Sequence, residues 1–384
     1  MPSARVNINP DVLMWAVTYS QRGIEAFVNK FEQFPKWLDK SIQPTVKQLE
    51  DVARFAYVPF GYLMLPQKPN LKIAPIKDFR TKKNQQFSSA GEYSTELHDT
   101  IIDIRRRQEW LREYKKEQGY HSASFIGSIS PSMEDENIVK KISKEIGLPA
   151  CWRESTDSKD SAFRYFLDII ENIGVMVFVN GLVGNNTHRG LDVKEFRGFA
   201  LADEFAPVIF INGADAPSAR LFTLLHELVH IFLGQDGLDD RSEPFCNRIA
   251  AKILVPQDVF VQQWNLHAAD YDMLENFFKV SQLVLYRMAL TYDKIDQREY
   301  ARLVALYDKK YREKRNSGSG GRCDFYNVVP YRAGRGFCKY LHEALVEENI
   351  SYSEAYQLLG IKGRTFEKLM ESVVEENLNS RGNM

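Results

Sequence analysis

The chain has 384 residues, 44 % of them hydrophobic and 26 % charged, and a formal net charge of −1. It is long enough for two or three domains of ordinary globular composition, has no run of eighteen apolar residues to span a membrane, and lacks the chain-wide positive excess of a nucleic-acid binder. Met1 to Pro10 lacks the basic segment and apolar core of a secretion signal, and Cys151, Cys246, Cys323 and Cys338 show no CxxC spacing, so they read as reduced thiols in a cytoplasmic protein.

In chain order, residues 1–80 read as a unit of short helices: Asp11 to Thr18, Glu25 to Phe31, Lys36 to Lys40, and Val46 to Phe55 capped by Thr45. The unit carries 11 Lys+Arg against 7 Asp+Glu, a modest excess. Residues 81–135 read as a helical connector: polar from Thr81 to Ser94, a charged helix from Thr95 to Gln118, then a Ser/Gly-rich loop from His121 to Ser132. Within that helix, Arg105-Arg106-Arg107 is expected to form a solvated face rather than a phosphate site.

Residues 136–296 read as a catalytic domain. Asn137 to Ile146 and Phe163 to Ile173 have helical spacing, the second ending at Gly174. Val175 to Val179 is a buried strand, and Phe199 to Leu201 and Pro207 to Asn212 are strand-like. Asn185 to Arg189 is expected as a loop, with His188 solvated rather than a ligand. A small sheet is thus predicted, whose edge could pair with an extended substrate chain through main-chain hydrogen bonds.

The apolar run Leu221 to Leu233 contains His226-Glu227-Leu228-Val229-His230 and stops at Gly234. Residues four apart share one face of a helix, so both imidazoles can reach one metal ion, with Glu227 nearby to take a proton from water. Two neutral imidazoles and a carboxylate with an open fourth position suit Zn2+. The competing reading, a core helix, would bury Glu227 without a partner at high cost. Ser242 to Leu254 reads as a second helix, stopped by Pro256, with Glu243 in its first turn. Glu243 is the expected third ligand and Cys246 the competing one; Asp236, Asp239 and Asp240 in the joining loop are further carboxylates. Asn247 shares a face with Glu243 and is expected either to orient a ligand or to tie the two helices together. Arg189 and Tyr326 are guesses for an oxyanion donor.

Residues 297–384 read as a helical tail. Asp308 to Arg315 is basic, Ser317 to Gly321 is a flexible break, and Tyr352 to Leu359, Gly360-Ile361-Lys362 and Arg364 to Met370 form helix, turn, helix. The fold class expected is α+β: a mostly helical multi-domain chain, with a zincin-like catalytic domain whose small sheet packs beside the HExxH helix.

These residues together resemble the ImmA/IrrE-type zinc metallopeptidases with an N-terminal XRE-like helix-turn-helix region. The similarity is carried by the pentad at 226–230, by Glu243-Pro244-Phe245-Cys246-Asn247-Arg248-Ile249-Ala250-Ala251, and by Leu254-Val255-Pro256. Phe196-Arg197-Gly198-Phe199-Ala200-Leu201, the segment Ala206 to Asp215, Pro44 to Glu50 and Val58 to Leu63 extend it. The resemblance implies His226, His230 and Glu243 as zinc ligands, Glu227 as general base, and an XRE-type transcriptional repressor as protein substrate in a stress or mobile-element response. It also implies an XRE-like fold for residues 1–80. There, however, Glu32-Gln33-Phe34-Pro35-Lys36-Trp37 occupies the place of turn and reading helix and offers few side chains suited to base edges; the unit is expected to dock protein rather than read DNA. The alternative to a peptidase is a non-catalytic regulator or an antitoxin paired with a toxin encoded nearby, against which the intact Glu227 argues.

Overall fold

A computed structural model describes residues 5–20, 22–69, 94–235, 242–267, 270–316 and 325–381. They fall into two compact units.

The first unit contains helices α1 (Pro10–Ser20), α2 (Ile24–Lys30), α3 (Phe34–Leu38), α4 (Val46–Ala56) and α5 (Phe60–Leu63), and the start of α6 (Thr95–Glu117). Its core is aromatic: Phe27, Phe34 and Trp37 are fully buried, and Phe27 and Phe31 meet the Phe55 ring edge-on. α3 begins at Phe34 rather than Lys36, because Pro35 sits in its first turn where no N–H is needed. α4 opens on a reciprocal cap: Gln48 N donates to Thr45 Oγ1 (3.2 Å) and Thr45 N donates to Gln48 Oε1 (2.8 Å).

The second unit continues α6 and adds α7 (Asp135–Glu145) and α8 (Lys159–Asn172), then β1 (Met176–Asn180), β2 (Leu182–Val183), β3 (Asn186–Gly190), β4 (Gly198–Leu201) and β5 (Val208–Asn212). α9 (Pro217–Leu233), α10 (Ser242–Leu254), α11 (Gln257–Leu266), α12 (Tyr271–Phe278) and α13 (Gln282–Thr291) follow. α14 (Gln297–Asn316), α15 (Phe325–Ala333), α16 (Arg335–Val346), α17 (Tyr352–Leu359) and α18 (Arg364–Arg381) complete it. The fold is α+β, mostly helical, with a small mixed sheet in the order β1-β5-β4: β1 runs parallel to β5, and β4 is its antiparallel neighbour. All residues of β1, β4 and β5 are buried, as expected for strands covered on both faces. α9 packs against β4 and β5 and lies between α8 and α10; every residue from Leu221 to Leu233 is buried. Pro217 opens the helix and Gly234, at φ 67°, closes it in the left-handed conformation.

Two expectations change. Asn186 to Gly190 is not loop but β3, which pairs with β2 in a hairpin; Asn180 anchors it, donating from Nδ2 to Gly184 O (2.7 Å) and accepting from Leu182 N (3.1 Å). His188 is exposed on that strand. The Arg105-Arg106-Arg107 run is not uniformly solvated: Arg107 is buried, donating to Asp103 Oδ2 (2.6 Å) and Arg332 O (3.3 Å), with its guanidinium 5.2 Å from the Phe178 ring. Successive helical side chains point about 100° apart, so three arginines in a row cannot all share one environment. Ser317 to Gly321 and Asp236, Asp239 and Asp240 lie outside the described residues. Among the described residues, no helix is long and apolar enough to cross a membrane.

Candidate metal centre

α9 brings the pentad to the middle of the core. His226 and His230 are each 1 % exposed and Glu227 is 4 % exposed. Helical spacing places Thr223, His226, Glu227 and His230 along one side, the side approached by the first turn of α10. The approach of α10 is fixed by apolar packing: Phe245, Ile249 and Ile253 join the core cluster that holds Leu225, Leu228 and Phe232.

Three ligand-type atoms converge. His226 Nε2 lies 3.0 Å from Glu243 Oε1, His230 Nε2 lies 3.1 Å from the same oxygen, and the two Nε2 atoms are 3.1 Å apart. Burial alone would raise the Glu243 carboxyl; the hydrogen bonds and charges of the two imidazoles outweigh it and hold that carboxyl well below the usual carboxylate range. An ionised Glu243 only accepts, so both contacts to it require a proton on Nε2, and the two Nε2–H groups then oppose each other. Protons therefore cannot satisfy the triangle. A cation facing three lone pairs can, and a tetrahedral zinc site with ligands at ~2.0–2.1 Å has ligand–ligand edges of ~3.3 Å, close to the separations found. Among the described residues, these three form the group of His, Cys, Asp and Glu side chains arranged to hold a metal.

Cys246, the competing ligand, is fully buried in the apolar core and does not belong to that group. Asn247 is half-buried on α10, one turn beyond Glu243. Arg189, one of the oxyanion guesses, is buried on β3; the side chain of Tyr326 lies outside the described residues.

One neighbour was not singled out from the sequence. Gly198 opens β4, and a methyl group added there would lie 2.7 Å from Thr223 Cγ2, 2.9 Å from the Phe210 carbonyl oxygen and 3.3 Å from Glu227 Oε1. The missing side chain leaves the Glu227 carboxylate its place beside the sheet. Phe196 to Leu201 carried a resemblance signal, but nothing in the spacing ties position 198 to position 227.

Residues 170–289 match the family described as IrrE N-terminal-like domain (Peptidase_M78), a stretch that runs from the end of α8 to α13 and includes all three converging residues and Glu227. Residues 333–372 match a domain of unknown function (DUF8813). No curated protein matches the chain. A solved structure described as a Mycobacterium tuberculosis transcriptional regulator aligns at 13 % identity and a TM-score of 0.27. That alignment covers 48 % of this chain and about half (51 %) of the other, a likeness that carries no structural argument.

Proposed function

We propose that the protein is a zinc-dependent endopeptidase that cleaves a specific protein partner, an XRE-type transcriptional repressor; residues 170–289 match the IrrE N-terminal-like (Peptidase_M78) family. The observation that carries this reading is the convergence of His226, His230 and Glu243 beside a glutamate on the same helix. These three residues would hold the zinc, which when bound polarises the scissile carbonyl and acidifies water.

The remaining chemistry belongs to the chain. Glu227 takes the proton of the attacking water on a carboxylate oxygen and delivers it to the departing amine. Its burial, at 4 % exposure, keeps bulk water from competing for that proton. Asn247, four residues along α10 from Glu243, helps to orient that ligand. The terminal strand β4 is where an extended substrate would add as an antiparallel strand: β4 ends the three-stranded sheet and its first residue abuts Glu227, and because β4 is buried along its length the incoming chain must displace what covers that edge. Main-chain pairing there sets the scissile peptide next to the base.

The test is direct. Full-length protein with one equivalent of zinc is incubated with purified products of neighbouring genes, XRE-type repressors among them. A single discrete cut in a repressor, abolished by Glu227→Gln, supports the proposal. Stable binding of a neighbouring toxin with no cut in any product would favour the antitoxin reading instead.

A further inference from the structure

The last three helices of the second unit enclose a groove of about 490 Å³. Its walls are the end of α16, the start of α17 and the middle of α18. The floor is apolar and well packed: Phe366 and Met370, one turn apart on α18, are 1 % and 8 % exposed. The lips are apolar and bare. Val346 is 69 % exposed and Tyr352 is 63 % exposed. The Tyr352 ring meets the Phe366 ring edge-on at 6.2 Å, a contact that holds the lip in place before anything binds. Single exposed apolar side chains are ordinary on a protein surface, but two of this size flanking one concavity with a polar rim mark a place for docking.

The rim carries one sign of charge. Glu367, Glu371 and Glu375 recur every four residues on α18 and are all exposed, so they stand in a row beside the row of Phe366 and Met370. Among the described residues, none of the three glutamates has an ion-pair partner, and no lysine or arginine lines the groove. Like charges four apart on one helix face oppose one another, so the row works against α18 rather than for it.

Charge complementarity selects the occupant. The carboxylates repel nucleic-acid phosphates and anionic lipid headgroups. A neutral apolar segment would strip water from them and give nothing in exchange. A helix with one apolar stripe, flanked by Lys or Arg, matches both rows at once. The nine steps from Phe366 to Glu375 span about 13.5 Å of helix rise, room for about two and a half turns laid alongside.

We propose that this groove docks a cationic amphipathic helix of a protein partner, its apolar stripe between Val346 and Tyr352 and its basic flank along Glu367, Glu371 and Glu375. The proposal does not rest on the peptidase reading, since neither the pentad nor Glu243 lines the groove.

The test is fluorescence anisotropy of a labelled designed peptide, about fourteen leucines and lysines in amphipathic helical order, titrated with full-length protein. A control peptide has glutamate in place of every lysine. The cationic peptide should saturate at micromolar protein and weaken at least about threefold between ~0.05 M and ~0.5 M salt; the acidic one should bind at least about tenfold more weakly. Val346→Ser combined with Tyr352→Ser removes the lips, and Glu371→Lys combined with Glu375→Lys reverses the rim. All four positions are exposed, circular dichroism checks that each variant folds, and either folded pair should weaken binding by about tenfold or more. Glu25→Lys combined with Glu50→Lys makes the same charge change at exposed positions of the first unit and should leave the affinity unchanged. Undiminished binding to a folded groove variant, an equal loss in the first-unit variant, or equal binding of the acidic peptide would each overturn the proposal. So would a dimer of the free protein that the groove variants dissolve, because the occupant would then be a second copy of this chain.

Discussion

At the scale of single residues, the candidate centre separates three roles that mutation can distinguish. Glu227→Gln keeps the shape and removes the proton acceptor; zinc should stay near about one per chain while the cleavage rate falls by at least ~100-fold. Glu243→Ala takes away one corner of the triangle and should lose both zinc and cleavage, since two histidines alone hold the ion poorly. Cys246→Ser, in the apolar core rather than at the triangle, should keep both at some cost in stability. Metal analysis after gel filtration, beside a cleavage assay, reads all three; full zinc in Glu243→Ala with loss in Cys246→Ser would reassign the third ligand. Gly198→Ala is a separate probe. The added methyl meets Thr223 and the Phe210 carbonyl before it meets Glu227, so it should destabilise by ~1–3 kcal/mol and slow cleavage further than denaturant stability accounts for. A fully active, fully stable Gly198→Ala would remove that residue from any account of the site.

At the scale of elements, α10 is held to α7 by a charge clamp: Asp135 accepts from Arg248 Nε (2.8 Å) and pairs with Lys252 Nζ (2.9 Å). Burial raises the Asp135 carboxyl, but the bonds from Arg248 and Lys252 outweigh it and leave its pKa lowered. A carboxyl depressed by folding stabilises the fold above its unfolded pKa and ceases to do so as pH falls through the folded value. Asp135→Asn should therefore cost about 1 kcal/mol at neutral pH, and the gap from wild type should close below pH ~4; a gap that widens in acid would contradict the clamp. The elements that could be read from sequence share one property: their signals are local. The Thr45 cap, the Gly234 stop, the apolar β5 and the i, i+4 histidines each lie within a few residues. The β2–β3 hairpin was missed because Asn185 to Arg189 has no apolar alternation; it depends on the Asn180 side chain and on pairing to Leu182 and Val183. Arg107 was misjudged because what turns it inward, Phe178 and the Arg332 carbonyl, lies far along the chain. The candidate site falls between these cases. Its residue types were legible, but the approach of Glu243 to within 3.1 Å of both imidazoles depends on how Phe245 and Ile249 pack across α9.

At the scale of the whole molecule, the first unit directs its most conspicuous side chains inward. Phe34 and Trp37, in the segment where a reading helix would be expected, belong to its core. Full-length protein should accordingly give no sequence-selective shift of DNA fragments at moderate salt; a salt-sensitive, site-specific shift at nanomolar protein would refute this. Substrate pairing along the terminal strand β4, as proposed, would carry a broader implication for how targets are chosen. Every residue carries a backbone carbonyl and every residue but proline an N–H, so a strand edge inspects shape rather than spelling. Aligned cut sites should show little consensus, and replacing the flanking positions one at a time should leave turnover almost flat, except where proline removes an N–H. Discrimination would then lie in whether a stretch of the target can be straightened, which makes the slack between a target's domains, more than its letters, the address at which it is cut.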